Sequence, residues 1–283
     1  MSPIEQSIKR KIEAVGTPLK DWDINIYRGV LTGCNEAFII TSEKREKILA
    51  NCQTEDERQR TAELIRPILR GRDIKRYGYD WANLWLIATF PSCHYDIEQY
   101  PAVKDYLLSY GIERLEQTGK THIVDGEKVK SRKKTNNKWF ETQDSISYWE
   151  DFFKPKIIYP NMTKYLPFYY DNDRYLTNQK CFIITGKNIA YLTAFFNSSI
   201  FKYCFIDNFP KLGENGREMS KIFFDKIPVY EVSDKQNQQF IYVVEDIQKE
   251  YTKQKAQKID SMLFDLYGLT TEERKVIGFV EIQ

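Results

Sequence analysis

Six cations, Lys128, Lys130, Arg132, Lys133, Lys134 and Lys138, fall within eleven consecutive residues that contain no acid. A run of this kind suits a polyanion. Phosphates neutralised on a duplex release condensed counterions, so about six contacts would make the binding constant fall roughly as the fifth power of salt. Asn136, Asn137 and Trp139 add hydrogen-bonding and stacking groups beside it, so all six cations are expected at DNA, an ordinary solvated loop being the alternative. A second concentration comprises Arg66, Arg70, Arg72, Lys75 and Arg76. Arginine's planar fork can read guanine through two hydrogen bonds in the major groove, whereas lysine more often holds a phosphate. Asp73 and Glu63 are near enough to neutralise part of this set, which leaves a mixed role with Arg70 and Arg72 placed near DNA. A third set, Lys211, Asn215, Arg217 and Lys221, lies on a glycine-punctuated stretch, and variable polar loops on a rigid scaffold suit base readout.

Catalytic constellations are missing where they would be sought. Amino-group methylation of DNA needs an Asn/Asp/Ser-Pro-Pro-aromatic motif, yet no two of the ten prolines are adjacent. No Gly-x-Gly-x-x-Gly turn follows a strand to hold a nucleotide-like cofactor. The only Glu-x-Lys of a possible metal-dependent nuclease is Glu273-Arg274-Lys275, and Glu273 already fits a helix cap. His94 and His122 are the only histidines available as a hydrolase base, and no Gly-x-Ser-x-Gly elbow accompanies them. Gly119-Lys120-Thr121 imitates the end of a phosphate-binding loop, but the glycine required five residues earlier is Arg114.

Composition sets the outer bounds. The chain has 283 residues, 42% hydrophobic and 29% charged, enough for a full core. A net charge of +2 predicts no polyanion partner by itself; the distribution of charge matters more than the total. The five cysteines, Cys34, Cys52, Cys93, Cys181 and Cys204, include no Cys-x-x-Cys pair and suit a reduced, cytoplasmic protein. Residues 190–205 are the most apolar stretch, but Asn197, Ser198, Ser199 and Lys202 interrupt it, so no membrane span is expected.

The elements that must position these groups follow from periodicity and caps. Ser2-Pro3-Ile4-Glu5 is a capping box, and Ile4, Ile8, Ile12 and Val15 continue at helical spacing until Gly16. Residues 22–30 and 35–41 read as strands flanking a turn at Thr32-Gly33, and so as a hairpin. Helical signals return over 42–65 and 101–115, with a strand at 84–90 between them. Residues 119–137 lack periodicity and read as a loop. Strands are expected at 156–159, 166–170 and 181–185, then an aromatic-rich helix over 188–205. Phe240, Val243, Val244, Ile247 and Tyr251, then Ile259, Met262, Leu263 and Leu266, form one helical stripe; Thr270-Thr271-Glu272-Glu273 caps a last short helix.

Two segments within this order resemble a known family. Arg28, Gly29, Thr32, Gly33, Asn35, Ala37, Phe38 and Ile40 follow an Arg-Gly-x-x-Thr-Gly-x-Asn-x-Ala-Phe-x-Ile pattern, and Leu69-Arg-Gly-Arg-Asp-Ile74 comes after it at matching spacing. Lys154 to Tyr159, Asn188 to Ser198 and Asp265 to Leu269 are similarly placed. Together they resemble the TaqI-like target-recognition domain of adenine-specific DNA methyltransferases and fused restriction-modification enzymes. The resemblance implies an α/β (α+β) fold with a mixed or largely antiparallel sheet, inserted helices and a helical extension at the carboxyl end.

It also implies a division into a linker helix (1–16), a DNA target-recognition domain (17–230) and the extension (231–283). Arg28, Thr32 and Asn35 are expected to face DNA, and Gly33 to supply a backbone conformation other residues resist. A complete enzyme of this kind would carry a cofactor-binding domain ahead of a point close to Met1. The chain is therefore expected to recognise double-stranded DNA without catalysing a reaction by itself. S-adenosylmethionine would belong to a methyltransferase partner or missing domain, against which residues 240–266 pack unless they pack on the sheet. Two alternatives stand beside this reading: a catalytic restriction-modification enzyme or a fragment of one, and an interaction or specificity subunit of a phage-defence complex.

Overall fold

The computed structural model describes residues 1–164, 166–172 and 174–281. At its centre lies an antiparallel four-stranded sheet in the order Tyr169–Asp171, Lys156–Pro160, Cys181–Gly186 and Ile24–Arg28. Ile157 pairs with Ile184 and Ile158 with Ile183. Successive side chains point to opposite faces, so Ile157, Tyr159 and Ile184 enter one core while Ile158, Cys181 and Ile183 enter another. A sheet covered on both faces requires nearly continuous apolar strands, which is why these segments stand out in the sequence.

The second core is completed by another four-stranded sheet, Leu176–Thr177, Ile65–Leu69, Leu84–Ile87 and Ile39–Thr41. Its pairings are antiparallel except where Leu176–Thr177 joins Ile65–Leu69. Helices Ser42–Ala50, Glu55–Leu64 and Pro101–Leu108 pack around it, the first two capped by Thr41 and Thr54. The fold is thus α/β with largely antiparallel sheets, as expected.

The first core is helical and aromatic. Ile189–Phe196 lies across the central sheet, and Phe168, Phe196, Phe201, Phe209 and Phe224 form a fully buried cluster around Tyr159. Each such ring pair contributes about 0.5–1.5 kcal/mol beyond simple burial. Ile8 and Ile12 of the Pro3–Val15 helix join this core, as do Val244, Ile247, Ile259 and Leu263 from the carboxyl end. One continuous core therefore holds residues from all three segments, 1–16, 17–230 and 231–283. Arg76 fastens it: its Nε and Nη2 donate to the Asn197 carbonyl at 3.1 and 2.6 Å, and its Nη1 to Tyr251 and the Val280 carbonyl.

Four elements differ from expectation. The 22–41 hairpin does not form: Ile24–Arg28 pairs with Cys181–Gly186, whereas Ile39–Thr41 pairs with Leu84–Ile87 in the other sheet. Between them the Thr32 hydroxyl accepts from Cys34 N–H at 3.1 Å, and a helical turn follows over Asn35–Phe38. The 188–205 helix breaks at Asn197, whose side-chain amide bonds both the N–H and the carbonyl of Phe168, and Ser198 then caps Ser199–Phe205. The two parts meet at 65° inside the core, and no single helix among the described residues is long and apolar enough to cross a membrane. The 240–266 stripe belongs to two helices, Asp234–Lys249 and Lys253–Leu266, separated where Thr252 caps the second. The 119–137 loop contains a hairpin, Thr121–Val124 with Glu127–Lys130.

Candidate nucleic-acid interface

The register of the central sheet decides which loops meet. Arg28 lies opposite Phe182, and Cys181 opposite Pro160, so the chain leaves or enters at one end of the sheet through residues 29–35, 161–164 and 177–180. Backbone hydrogen bonds tie these loops together. Gly29 N–H donates to the Cys181 carbonyl at 2.9 Å, Val30 N–H to Thr177 at 2.8 Å and Asn161 N–H to Lys180 at 2.8 Å. Gly29 is required by that closeness: a Cβ there would sit 1.9 Å from the Asn178 carbonyl oxygen. The Arg28 side chain reaches across the same junction, its Nε donating to the Gln179 carbonyl at 3.3 Å.

The basic sets converge on this end. Gly71 abuts Lys180, which brings Arg72 beside the 177–180 turn. Met219 N–H donates to the Asn161 carbonyl at 2.9 Å, which brings in the Lys211–Leu212 and Gly216–Glu218 strands. Gln143 and Asp144 N–H donate to the Leu31 carbonyl at 3.1 and 3.2 Å, drawing the long basic loop alongside residues 29–35. Burial pushes the Asp144 carboxyl up, while Arg28 and Lys133 are close enough for their charges to oppose that shift.

Within this assembly the expected residues divide. Arg28, Asn35, Arg72, Lys128, Lys130, Lys133, Lys134, Lys138, Lys211 and Asn215 are exposed. Among the described residues, no ion pair reaches Lys128, Lys130, Lys133, Lys134 or Lys138. Some exposed lysines elsewhere, such as Lys47, Lys221 and Lys275, pair with Glu43, Asp225 and Glu272 on their own helices or turns. The loop lysines thus keep their charge available for an external anion.

Two expectations, Arg132 and Thr32, are corrected by burial, and Arg70 and Arg217 are found in ion pairs. Arg132 is 2% exposed: its Nε donates to the Leu115 carbonyl (2.7 Å), Nη1 to Thr32 (2.6 Å) and Glu141 (2.8 Å), and Nη2 to Trp139 (2.7 Å). Burial pushes its pKa down to about 10, so it stays cationic at neutral pH and its charge holds the base of the loop together. Thr32 is fully buried, its hydroxyl donating to Asn35 Oδ1 at 2.7 Å as well as accepting from Cys34 N–H. Arg70 closes on Asp73, with Nε 3.1 Å and Nη2 2.9 Å from its carboxylate oxygens. Arg217 is held by Asp207 at 2.6 Å. Arg70 and Arg217 therefore bring neutralised charges to the surface.

Gly33 fulfils its expected role with φ +75°. Lys164 and Lys202, outside the basic sets, line a groove of about 360 Å³ with Lys211, Glu214, Asn215 and Arg217. They are isolated in the sequence, so only tertiary placement reveals them. The Gly186-Lys187-Asn188 turn between a strand and a helix does not fit a cofactor cradle. Lys187 N–H donates to the Asp23 carbonyl, and a Cβ on Gly186 would meet that oxygen at 2.3 Å. Among the described residues, no group of three or more His, Cys, Asp or Glu is placed to hold a metal ion.

The domain thus holds two cores on a shared sheet, with its loops gathered at one end of that sheet. The TaqI-like C-terminal specificity domain family matches residues 66–229, more than half of the chain, and the chain belongs to that family. None of the curated proteins matches it in sequence. The fold is shared with the type IIG restriction endonuclease BpuSI (TM-score 0.53, 13% identity, covering 94% of this chain and 34% of that one). It is also shared with the type IIL restriction-modification enzyme MmeI, whose structure is a complex with DNA (TM-score 0.56, 12% identity, covering 92% and 35%). The chain thus spans 34–35% of the length of either enzyme.

Proposed function

We propose that this chain is the sequence-reading part of an adenine-methylating restriction-modification system in the cytoplasm, and that it binds double-stranded DNA without itself reacting with it. Methyl transfer from S-adenosylmethionine would then fall to a separate domain or subunit. The observation that carries the reading is the convergence of exposed cations at one end of the central sheet, on loops fastened to a rigid double core. Membership of a specificity-domain family supports it, as does a shared fold with an enzyme captured on DNA. In this reading Lys128, Lys130, Lys133, Lys134 and Lys138 hold phosphates, while Arg28, Asn35, Arg72, Lys211 and Asn215 lie nearer the bases.

Salt-dependent duplex binding tests it. With Arg132 removed from the count, five phosphate contacts predict a slope of log K against log salt of about −4.5. Joint charge reversal at Lys130, Lys133 and Lys134 should weaken binding to all sequences alike and flatten that slope. Unchanged affinity in the reversed variant would refute the assignment, and methyl transfer or cleavage by the purified chain would refute the non-catalytic reading.

A further inference from the structure

The hairpin inside the basic loop is built as a projecting ribbon. Its two-residue turn, Asp125-Gly126, has φ 50° and 83°, the left-handed pair that matches the twist of two antiparallel strands. A Cβ at Gly126 would meet nothing within 4 Å, so the tip stands in open space. The base is fixed: Ser131 N–H donates to Lys120 at 2.9 Å, Gly119 N–H to Arg132 at 2.8 Å and Arg132 N–H to Glu116 at 3.0 Å.

Pairing of Thr121 with Lys130 and of Ile123 with Lys128 puts these four side chains on one face. All four are exposed, and Ile123 is 66% exposed, with no core to receive it. On the opposite face His122, Val124 and Val129 are half-buried, and His122 is bound to Glu116. The ribbon therefore rests on the domain by one face and offers an apolar centre flanked by two cations on the other.

Four residues per strand give a ribbon about 13 Å long, with strands about 4.8 Å apart. A two-stranded ribbon is admitted by the major groove of B-DNA, about 12 Å wide, and is too broad for the minor groove, about 6 Å wide. We infer that the hairpin Thr121–Lys130 enters the major groove and reads bases, with Ile123 against a thymine methyl group, Thr121 at a base edge, and Lys128 and Lys130 on the flanking phosphates. Asp125 at the tip then faces the groove floor, where a carboxylate can accept from a cytosine amino group, instead of the phosphates that would repel it.

This rests on the DNA-recognition reading, and the test separates the two. The full chain is used to select duplexes from a random library, and affinities are measured for the selected duplex and for mixed-sequence DNA. Ile123→Ser should weaken binding to the selected duplex by about 10-fold, leave mixed-sequence affinity and salt slope unchanged, and relax preference at one or two base pairs. Lys128→Gln with Lys130→Gln should weaken both duplexes equally and reduce the salt slope by about two. Selection of no sequence by the parent chain overturns the recognition reading, and this inference with it. A selected sequence whose preferences all survive Ile123→Ser overturns the inference alone and leaves the hairpin a phosphate clamp.

Discussion

Replacing Arg132 by alanine is expected to destabilise the domain by about 3–5 kcal/mol while leaving phosphate contacts intact in the molecules that remain folded. The side chain gives four hydrogen bonds of 2.6–2.8 Å to main-chain carbonyls on three separated segments. A charge-assisted bond of this kind contributes about 1.5–3 kcal/mol, which sets a gross upper limit of about 6–12 kcal/mol. Against that stands the cost of desolvating a guanidinium, several kcal/mol, which truncation returns. Carbonyls left without a donor inside the structure account for the net loss. Arg132→Lys should cost about 2 kcal/mol, because one ammonium cannot span acceptors arranged around a planar fork.

Urea unfolding followed by tryptophan fluorescence measures the stability change, and duplex binding across a salt series measures the phosphate contacts. Both Arg132 variants should keep the parent salt slope, whereas Lys133→Gln with Lys134→Gln should lower it by about two without a stability change. A stability loss below about 1 kcal/mol in Arg132→Ala, with a slope reduced by about one, would place the guanidinium on a phosphate and refute the argument from burial.

Gly29→Ala should cost more than about 3 kcal/mol, since its Cβ would stand 1.9 Å from a main-chain oxygen; an unchanged melting temperature would rule out that close approach. Glu273 accepts from Lys11, Ser7 and Thr270 N–H, each at 2.7 Å; burial raises its pKa, but these bonds prevail and bring it from the ordinary 4.5 to about 2. Its stabilising effect is therefore complete above pH 4.5 and disappears as pH falls toward 2. Glu273→Gln should be about 1–2 kcal/mol less stable at pH 7 and lose less on acidification, and parallel pH–stability curves would contradict this. Lys156, fully buried, pairs with Asp171 at 2.6 Å, so Lys156→Met should cost about 3–5 kcal/mol and Lys156→Met with Asp171→Leu should recover most of it; equal losses in chemical denaturation would show that the pair is not what matters.

Features whose causes lie within a few residues of one another are legible along the chain. The Ser2–Glu5 and Thr270–Glu273 capping boxes form as expected, because each satisfies its helix end through partners three residues apart. The apolar strands 156–159 and 181–185, the helical stripe of the carboxyl end and the spacing of the family's motifs were legible for a similar reason: periodicity and order are linear properties. Absent adjacent prolines and glycine-rich turns could be read in the same way.

Features that depend on partners far away in the chain follow from packing instead. Thr32-Gly33 looked like a hairpin turn, but the strands on either side found partners in different sheets, Cys181–Gly186 and Leu84–Ile87. Arg132 is indistinguishable in sequence from Lys133 and Lys134; only the carbonyls of Leu115, Thr32, Trp139 and Glu141, brought together by the fold, make it structural. Lys164 and Lys202 became neighbours of Lys211 only when the 161–164 segment and the 211–218 strands met at the sheet end. Charge is fixed by residue type, but whether it is available to a ligand depends on burial and on opposing charge nearby, and both are set by the packing of distant segments.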